Sequence, residues 1–267
     1  MRGARVALTI AGSDSGAGAG IQAELRTFSA LGVYGVCAVT ALTAQNTLGV
    51  RAVHVAPPEI VAAQIDAIFD DFSLAAIKIG MLARADIVEV VANRLAARAP
   101  RPFVVYDPVM AASSGDALSG PGFLDSIRDR LLPLVDCLTP NLGEAAALLG
   151  EAVARDEGDM TRQGGALLKL GPRAVLMKGG HLEGDAVDLL VTPEAVQRFA
   201  APRIASIHLH GTGCTLSSAL AGYHALGLDL SPAVAAAKAF VRDAIARGQS
   251  LALGHGAGPL AQSLLAP

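Results

Sequence analysis

The run His210-Gly-Thr-Gly-Cys-Thr-Leu-Ser217 sets two glycines and a thiol at the head of a stretch rich in small residues. If that stretch is a helix, the amides of Gly211, Thr212, Gly213 and Cys214 can converge on one point, with the positive end of the helix dipole behind them. Such an arrangement stabilises charge on a phosphoryl group in transfer. It also places Cys214 where a thiol pKa is expected to fall, which would suit the thiol to accept a proton. The plain reading is a cysteine packed at a helix start; the flanking glycines favour chemistry.

A second set carries carboxylates and a lysine: Asp107-Pro-Val-Met110, Thr139-Pro-Asn-Leu-Gly-Glu144 and Lys178-Gly-Gly180. Magnesium bound with ATP keeps several waters and takes few protein carboxylates, a task for which Asp107 and Glu144 are suited. Asn141 can hydrogen-bond a phosphate or a metal-bound water, and Lys178, followed by Gly179, can neutralise phosphate charge. Singly, each also reads as a strand-end turn, a first-turn helical carboxylate or a solvated lysine. A third segment, Ala11-Gly-Ser-Asp-Ser-Gly-Ala-Gly-Ala-Gly20, could hold an anion on its amides. It misses the dinucleotide fingerprint by one residue, since Ile21 stands where the third glycine belongs.

These residues need a scaffold that brings them together. Apolar runs at 6–10, 36–42, 75–79, 103–106, 136–139 and 174–177 read as strands. Helical patterns fall at 21–31, 59–72, 85–98, 123–132, 142–149, 160–170, 212–226 and 231–250, and 186–192 with 195–199 reads as a further strand pair. Strands alternating with helices predict an α/β fold, a mainly parallel central sheet with helices on both faces. In such sheets ligands bind beyond the carboxyl ends of the strands. Gly12, Asp14, Asp107, Asn141 and Lys178 each follow an apolar run directly, so they are expected on one rim.

Composition narrows the classes. The 267 residues are 52% hydrophobic and 17% charged, enough apolar surface for a packed core, and residues 1–267 read as one domain. A net charge of -3 and the lack of a basic run argue against nucleic acid and acidic membranes as partners. Cys37, Cys137 and Cys214 have no paired spacing, so a reducing compartment, the cytoplasm, is expected. No run of about 20 apolar residues exists to span a bilayer.

The ordered motifs Ala7-Leu-Thr-Ile-Ala-Gly-Ser-Asp-Ser, Gly18-Ala-Gly-Ile-Gln-Ala-Glu-Leu, Thr40-Ala-Leu-Thr-Ala-Gln-Asn-Thr and Lys78-Ile-Gly-Met-Leu span the first part of the chain. Asp107-Pro-Val-Met, Leu138-Thr-Pro-Asn, Val175-Leu-Met-Lys-Gly-Gly-His and the glycine–cysteine run complete the set. Together they resemble the hydroxymethylpyrimidine and phosphomethylpyrimidine kinases of thiamine biosynthesis, in the ribokinase-like superfamily. The resemblance implies a ribokinase-like fold and ATP-dependent phosphorylation of 4-amino-5-hydroxymethyl-2-methylpyrimidine and of its monophosphate. It implies that Gly12, Gln45, Met81 and Val109 line the pyrimidine pocket and that Cys214 is the base. It further implies an anion hole of Gly211, Thr212 and Gly213, magnesium at Asp107 and Glu144, ATP at Asn141, Lys178 and Gly179, and a homodimer. Two positions depart from the family pattern: Ala17 stands where glycine is common, and Ser113 where lysine is usual. The lost cation at Ser113 would weaken use of a phosphorylated substrate. Rival expectations are a pyridoxal or pyridoxine kinase, a dual-specificity vitamer kinase, and a non-catalytic nucleotide- or vitamer-binding protein.

Overall fold

A computed structural model describes residues 3–110, 122–180, 182, 184–251 and 253–263, so Ser113 lies outside the described residues. The first strand, Val6–Asp14 (β1), is buried along almost its whole length and therefore needs cover on both faces. It takes that place between Tyr34–Asn46 (β2) and Leu74–Ile79 (β4), both parallel to it. Phe103–Tyr106 (β5), Cys137–Leu138 (β6) and Ala174–Lys178 (β7) extend the parallel array. Antiparallel pairings finish both edges: Gly49–Val55 (β3) on β2, and Ala186–Val191 (β8) with Val196–Ala201 (β9) beyond β7. Among the described residues the order is β3-β2-β1-β4-β5-β6-β7-β8-β9.

Successive residues of a strand face opposite sides, and the two cores follow that alternation. Leu8 and Ile10 of β1 and Ile77 and Ile79 of β4 pack with Pro58–Asp71 (α2), Ala85–Ala96 (α3) and the helices that follow on that face. Ala7, Ala76 and Val105 face the other way, against Gly20–Ala30 (α1), Thr212–Ala225 (α7) and Leu230–Gly248 (α8). The remaining helices of the first face are Phe123–Ser126 (α4), Leu142–Leu149 (α5) and Glu157–Leu168 (α6). The small residues of α7 now have a reason. It is buried on several sides, and a β-carbon on Gly222 would stand 2.8 Å from Leu31 Cδ1 at the close of α1. A rich small-residue run is what a helix sandwiched between a sheet and two other helices requires.

Most expected elements are present, with three differences. β3 was not anticipated, because Arg51, Ala52, Val53 and His54 are all exposed and leave no alternating apolar signal. The helix expected at 123–132 is one α turn that widens into a π turn and tightens into a 3-10 turn at Leu132–Leu134, which contains Pro133. β1 and β2 run several residues beyond their apolar stretches.

Ala17 adopts φ 59, in the left-handed region. A β-carbon there costs on the order of 1 kcal/mol. Ala17→Gly is therefore expected to raise stability by about 1 kcal/mol, less the extra unfolded-state entropy of glycine. A higher urea midpoint checks this; a lower one would mean that the alanine methyl contributes more than the strain removes.

Candidate active site

The rim begins where β1 ends. Asp14 is buried, and its carboxylate accepts N–H groups from Gly16 (2.8 Å), Gly18 (3.0 Å) and Ala19 (2.9 Å). His210 Nε2 lies 3.0 Å from the same carboxylate. Burial alone would raise the Asp14 pKa, but His210 and the amides of Ala19 and Gly16 hold it below the usual carboxylate value. The glycine-rich loop thus does concentrate amides on an anion, as its composition suggests, but the anion is the protein's own Asp14. Its glycines also make room for α7: a β-carbon on Gly18 would meet His210 Cδ2 at 2.2 Å, and one on Gly211 would meet Gly18 O at 2.0 Å.

Gly211 caps α7 with φ 85, a conformation suited to glycine. Thr212 N–H is bonded back to Leu209 O at 3.2 Å, so the expected anion hole rests on the amides of Gly211, Gly213 and Cys214. Cys214 shares the cavity lining with Gly20, at the start of α1. The expectation that its pKa falls is corrected. Burial pushes the thiol up to about 12, Glu24 and Asp107 add to that, and Lys78 with the Gly20 N–H opposes it only in part. Burial of the anion is the largest of these influences.

Across the rim, Lys178 Nζ sits 2.6 Å from Asp107 and 3.8 Å from Glu144. Asp107 is further tied to Thr139 and Ser217 at 3.4 Å each. Although burial would raise the Asp107 pKa, Lys178 and Lys78 keep it below the usual value. Burial pushes Glu144 up to about 7; Lys178 and the Asn141 N–H oppose the rise only in part, and Asp107 adds to it. Asn141 and Glu144 form a reciprocal cap at the start of α5, at 2.9 and 2.7 Å. Two carboxylates beside a place for phosphates suit magnesium, which takes one or two carboxylates and leaves the rest of its shell to phosphate and water. A β-carbon on Gly213 would come within 3.2 Å of Lys178 Nζ and 3.4 Å of Asp107 Oδ2, so this cluster abuts the anion-hole glycine.

One cavity of about 970 Å³ gathers these groups. Gly12, Gln45, Met81, Val109, Asp107, Asn141, Glu144, Lys178, Gly211, Thr212, Gly213 and Cys214 all line it. Gly179 does not. Its N–H bonds Val187 O at 2.9 Å and a β-carbon would strike that oxygen at 2.3 Å, so this glycine serves the β7–β8 junction rather than the cavity. Gly12 makes room for the Met81 methyl, which an added β-carbon would meet at 2.7 Å. Two groups escaped sequence reasoning. Lys78 and Glu24 form an ion pair that is wholly buried, with Thr9 donating to Glu24 as well. The only signal was a lysine inside an apolar strand. His210 was read as part of a motif without a role.

A parallel sheet with a glycine-framed helix start and an acid–lysine cluster on its carboxyl rim defines a ribokinase-like small-molecule kinase fold. The family described as phosphomethylpyrimidine kinase matches residues 14–261. The hydroxymethylpyrimidine/phosphomethylpyrimidine kinase of Escherichia coli is 52% identical over 255 residues, covering 95% of this chain and 96% of that one. Among solved structures, phosphomethylpyrimidine kinase from Clostridium difficile is 43% identical over 90% of this chain and 99% of its own, with a TM-score of 0.80. Pyridoxal kinase from Staphylococcus aureus, in complex with AMP-PCP and pyridoxal, is 31% identical over 97% and 94%, with a TM-score of 0.88. The chain belongs to the phosphomethylpyrimidine kinase family. No helix among the described residues is long and apolar enough to cross a membrane.

Proposed function

We propose that this chain transfers the γ-phosphoryl group of ATP to the hydroxymethyl oxygen of 4-amino-5-hydroxymethyl-2-methylpyrimidine, and then phosphorylates the resulting monophosphate. The observation that carries this reading is the single cavity, where a ring-facing amide (Gln45), a thiol beside helix-start amides (Cys214, Gly213) and a lysine–carboxylate cluster (Lys178, Asp107, Glu144) share one chamber. Gln45, Met81, Val109 and Gly12 hold the ring. The hydroxymethyl oxygen attacks phosphorus, the bond to the ADP oxygen breaks, and the hydroxyl proton passes to the Cys214 thiolate, which becomes the thiol. The Gly211, Gly213 and Cys214 amides stabilise the equatorial oxygens during transfer, and Lys178 offsets phosphate charge. Magnesium bound with ATP would be held by Asp107 and Glu144 and would neutralise further phosphate charge.

The unbroken sheet supports reading 1–267 as one domain. The unpaired cysteines favour a cytoplasmic location and the family resemblance a homodimer, and light scattering of the purified chain tests the dimer. The functional test is ADP release with the aminopyrimidine and, separately, with pyridoxal. Turnover on pyridoxal alone would make it a pyridoxal kinase, and binding without turnover a non-catalytic protein. Gln45→Ala is expected to raise the KM for the pyrimidine about 2- to 10-fold, the worth of one hydrogen bond, with the KM for ATP unchanged. Equal effects on both substrates would mean that Gln45 only shapes the scaffold.

A further inference from the structure

The Gln45 side chain is held at both ends before any substrate arrives. Its Nε2 position lies 3.1 Å from His210 Nε2, and its Oε1 position 3.1 Å from Thr43 Oγ1. His210 Nε2 also lies 3.0 Å from Asp14 Oδ2, and Thr43 Oγ1 lies 3.0 Å from Ser13 O. These four contacts are incompatible with that direction of the amide. A carboxylate that already accepts three backbone N–H bonds can only accept, so His210 Nε2 must carry a proton to face it. A protonated Nε2 cannot accept from an amide nitrogen. In that direction the single hydroxyl proton of Thr43 would also have to be shared between Ser13 O and the Gln45 oxygen.

We propose that the Gln45 amide is turned end for end, with its oxygen toward His210 and its nitrogen toward Thr43, and that the His210–Asp14 pair thereby dictates which ring edge the site accepts. The two ends of a carboxamide have nearly the same shape, so the partners decide. Turned, no donor faces a donor. The one His210 Nε2–H is shared between Asp14 and the Gln45 oxygen, Gln45 gives one N–H to Thr43 Oγ1, and Thr43 donates to Ser13 O. Each end of the amide keeps a second N–H or lone pair for a ligand, and Gln45 lines the cavity.

This inference rests on the pyrimidine reading for its consequence. On the substrate the hydroxymethyl group, the 4-amino group and ring nitrogen N3 follow one another along one edge. The hydroxymethyl group must point to Cys214, four residues after His210. The amino group then lies nearest the His210 side and meets the Gln45 oxygen, while N3 lies on the Thr43 side and accepts from the Gln45 nitrogen. The opposite amide direction would set donor against donor. A 4-oxo analogue, with a carbonyl at C4 and N–H at N3, presents the reversed pattern and should be rejected. Gly18 is part of the device, since only a residue without a β-carbon leaves space for the imidazole. His210 is a positioning residue in this scheme, acting through Gln45.

Two measurements test it. In the full-length protein without substrate, a long-range proton–nitrogen spectrum of labelled histidine should show His210 Nε2 protonated, with the signal identified by its loss in His210→Gln. An unprotonated Nε2 would overturn the proposal whatever the enzyme's substrate proves to be. In turnover, the wild type should favour the 4-amino over the 4-oxo pyrimidine by on the order of 10²-fold in kcat/KM. His210→Phe keeps a ring but frees the amide to rotate, so the preference should shrink to within about threefold, largely through KM for the pyrimidine. His210→Gln, which can place an N–H at the same point, should restore it. A preference unchanged in folded His210→Phe refutes the idea. Failure of the wild type to use either pyrimidine would instead count against the functional reading, and the imidazole spectrum would still decide the geometry.

Discussion

Cys214→Ser is expected to lower kcat by about 10²–10⁴-fold, the range of general-base assistance, while the KM for ATP changes little. Serine keeps the helix start and the small volume but offers a hydroxyl that is a very poor base near neutral pH. The burial of the thiol adds a sharper expectation. With its pKa pushed up to about 12, Cys214 is almost wholly protonated in the neutral range, and its thiolate fraction grows tenfold with each pH unit. The wild-type log kcat should therefore climb with a slope near one from about pH 6 to about pH 9, without a plateau. Cys214→Asp carries a base that is already ionised there, so its profile should be flat and its rate should recover part of the loss. A flat wild-type profile with chemistry shown to be rate-limiting would sink the thiolate as base, as would a Cys214→Ser enzyme that turns over at nearly the wild-type rate. Transfer would then rest on the helix-start amides.

The second large effect concerns stability. Lys78→Met leaves the Glu24 carboxylate unpaired in a wholly buried place, and Glu24→Leu strands the ammonium in the same way. Each single change is expected to cost about 3–5 kcal/mol, while the double variant Lys78→Met/Glu24→Leu should regain most of it, because a buried pair is costly to break and cheap to replace whole. Burial works to lower the Lys78 pKa, but Glu24, Cys214 and Asp107 raise it well above the ordinary 10.5. A raised folded pKa means that the contribution is fully present below that ordinary value and fades only as pH climbs toward the folded one. The contribution of the intact pair should accordingly be the same at every neutral pH. Urea midpoints measured as a double-mutant cycle decide the matter: additive losses in the double variant would show that the two side chains do not act as a pair.

The sheet and its working rim were legible because a period-two apolar run followed directly by Asp107, Asn141 or Lys178 has few other meanings in an alternating chain. What the sequence could not display is burial. Lys78 inside an apolar strand has no evident partner until Glu24, fifty-four positions away, is seen to meet it. Cys214 beside glycines at a helix start reads as acidified until the surrounding protein is seen to penalise its anion. Asp14 reads as a ligand-side group, and only its three amide partners reveal that it faces into its own loop. β3 lacked a signal because its side chains face solvent, and Gly179 misled because a close backbone approach and a phosphate cradle call for the same residue.

The inward-facing Asp14 has a consequence for how the pocket is filled. A loop whose amides already embrace a fixed carboxylate is a finished wall in the empty protein. It gains no order when a ring arrives, so capture of the ring sacrifices little chain freedom on that side. The loop should take up the same shape around any ring that fits. Discrimination between rings must then come from the few side chains that stand on the wall, and from the size that Gly12 and Met81 leave between them.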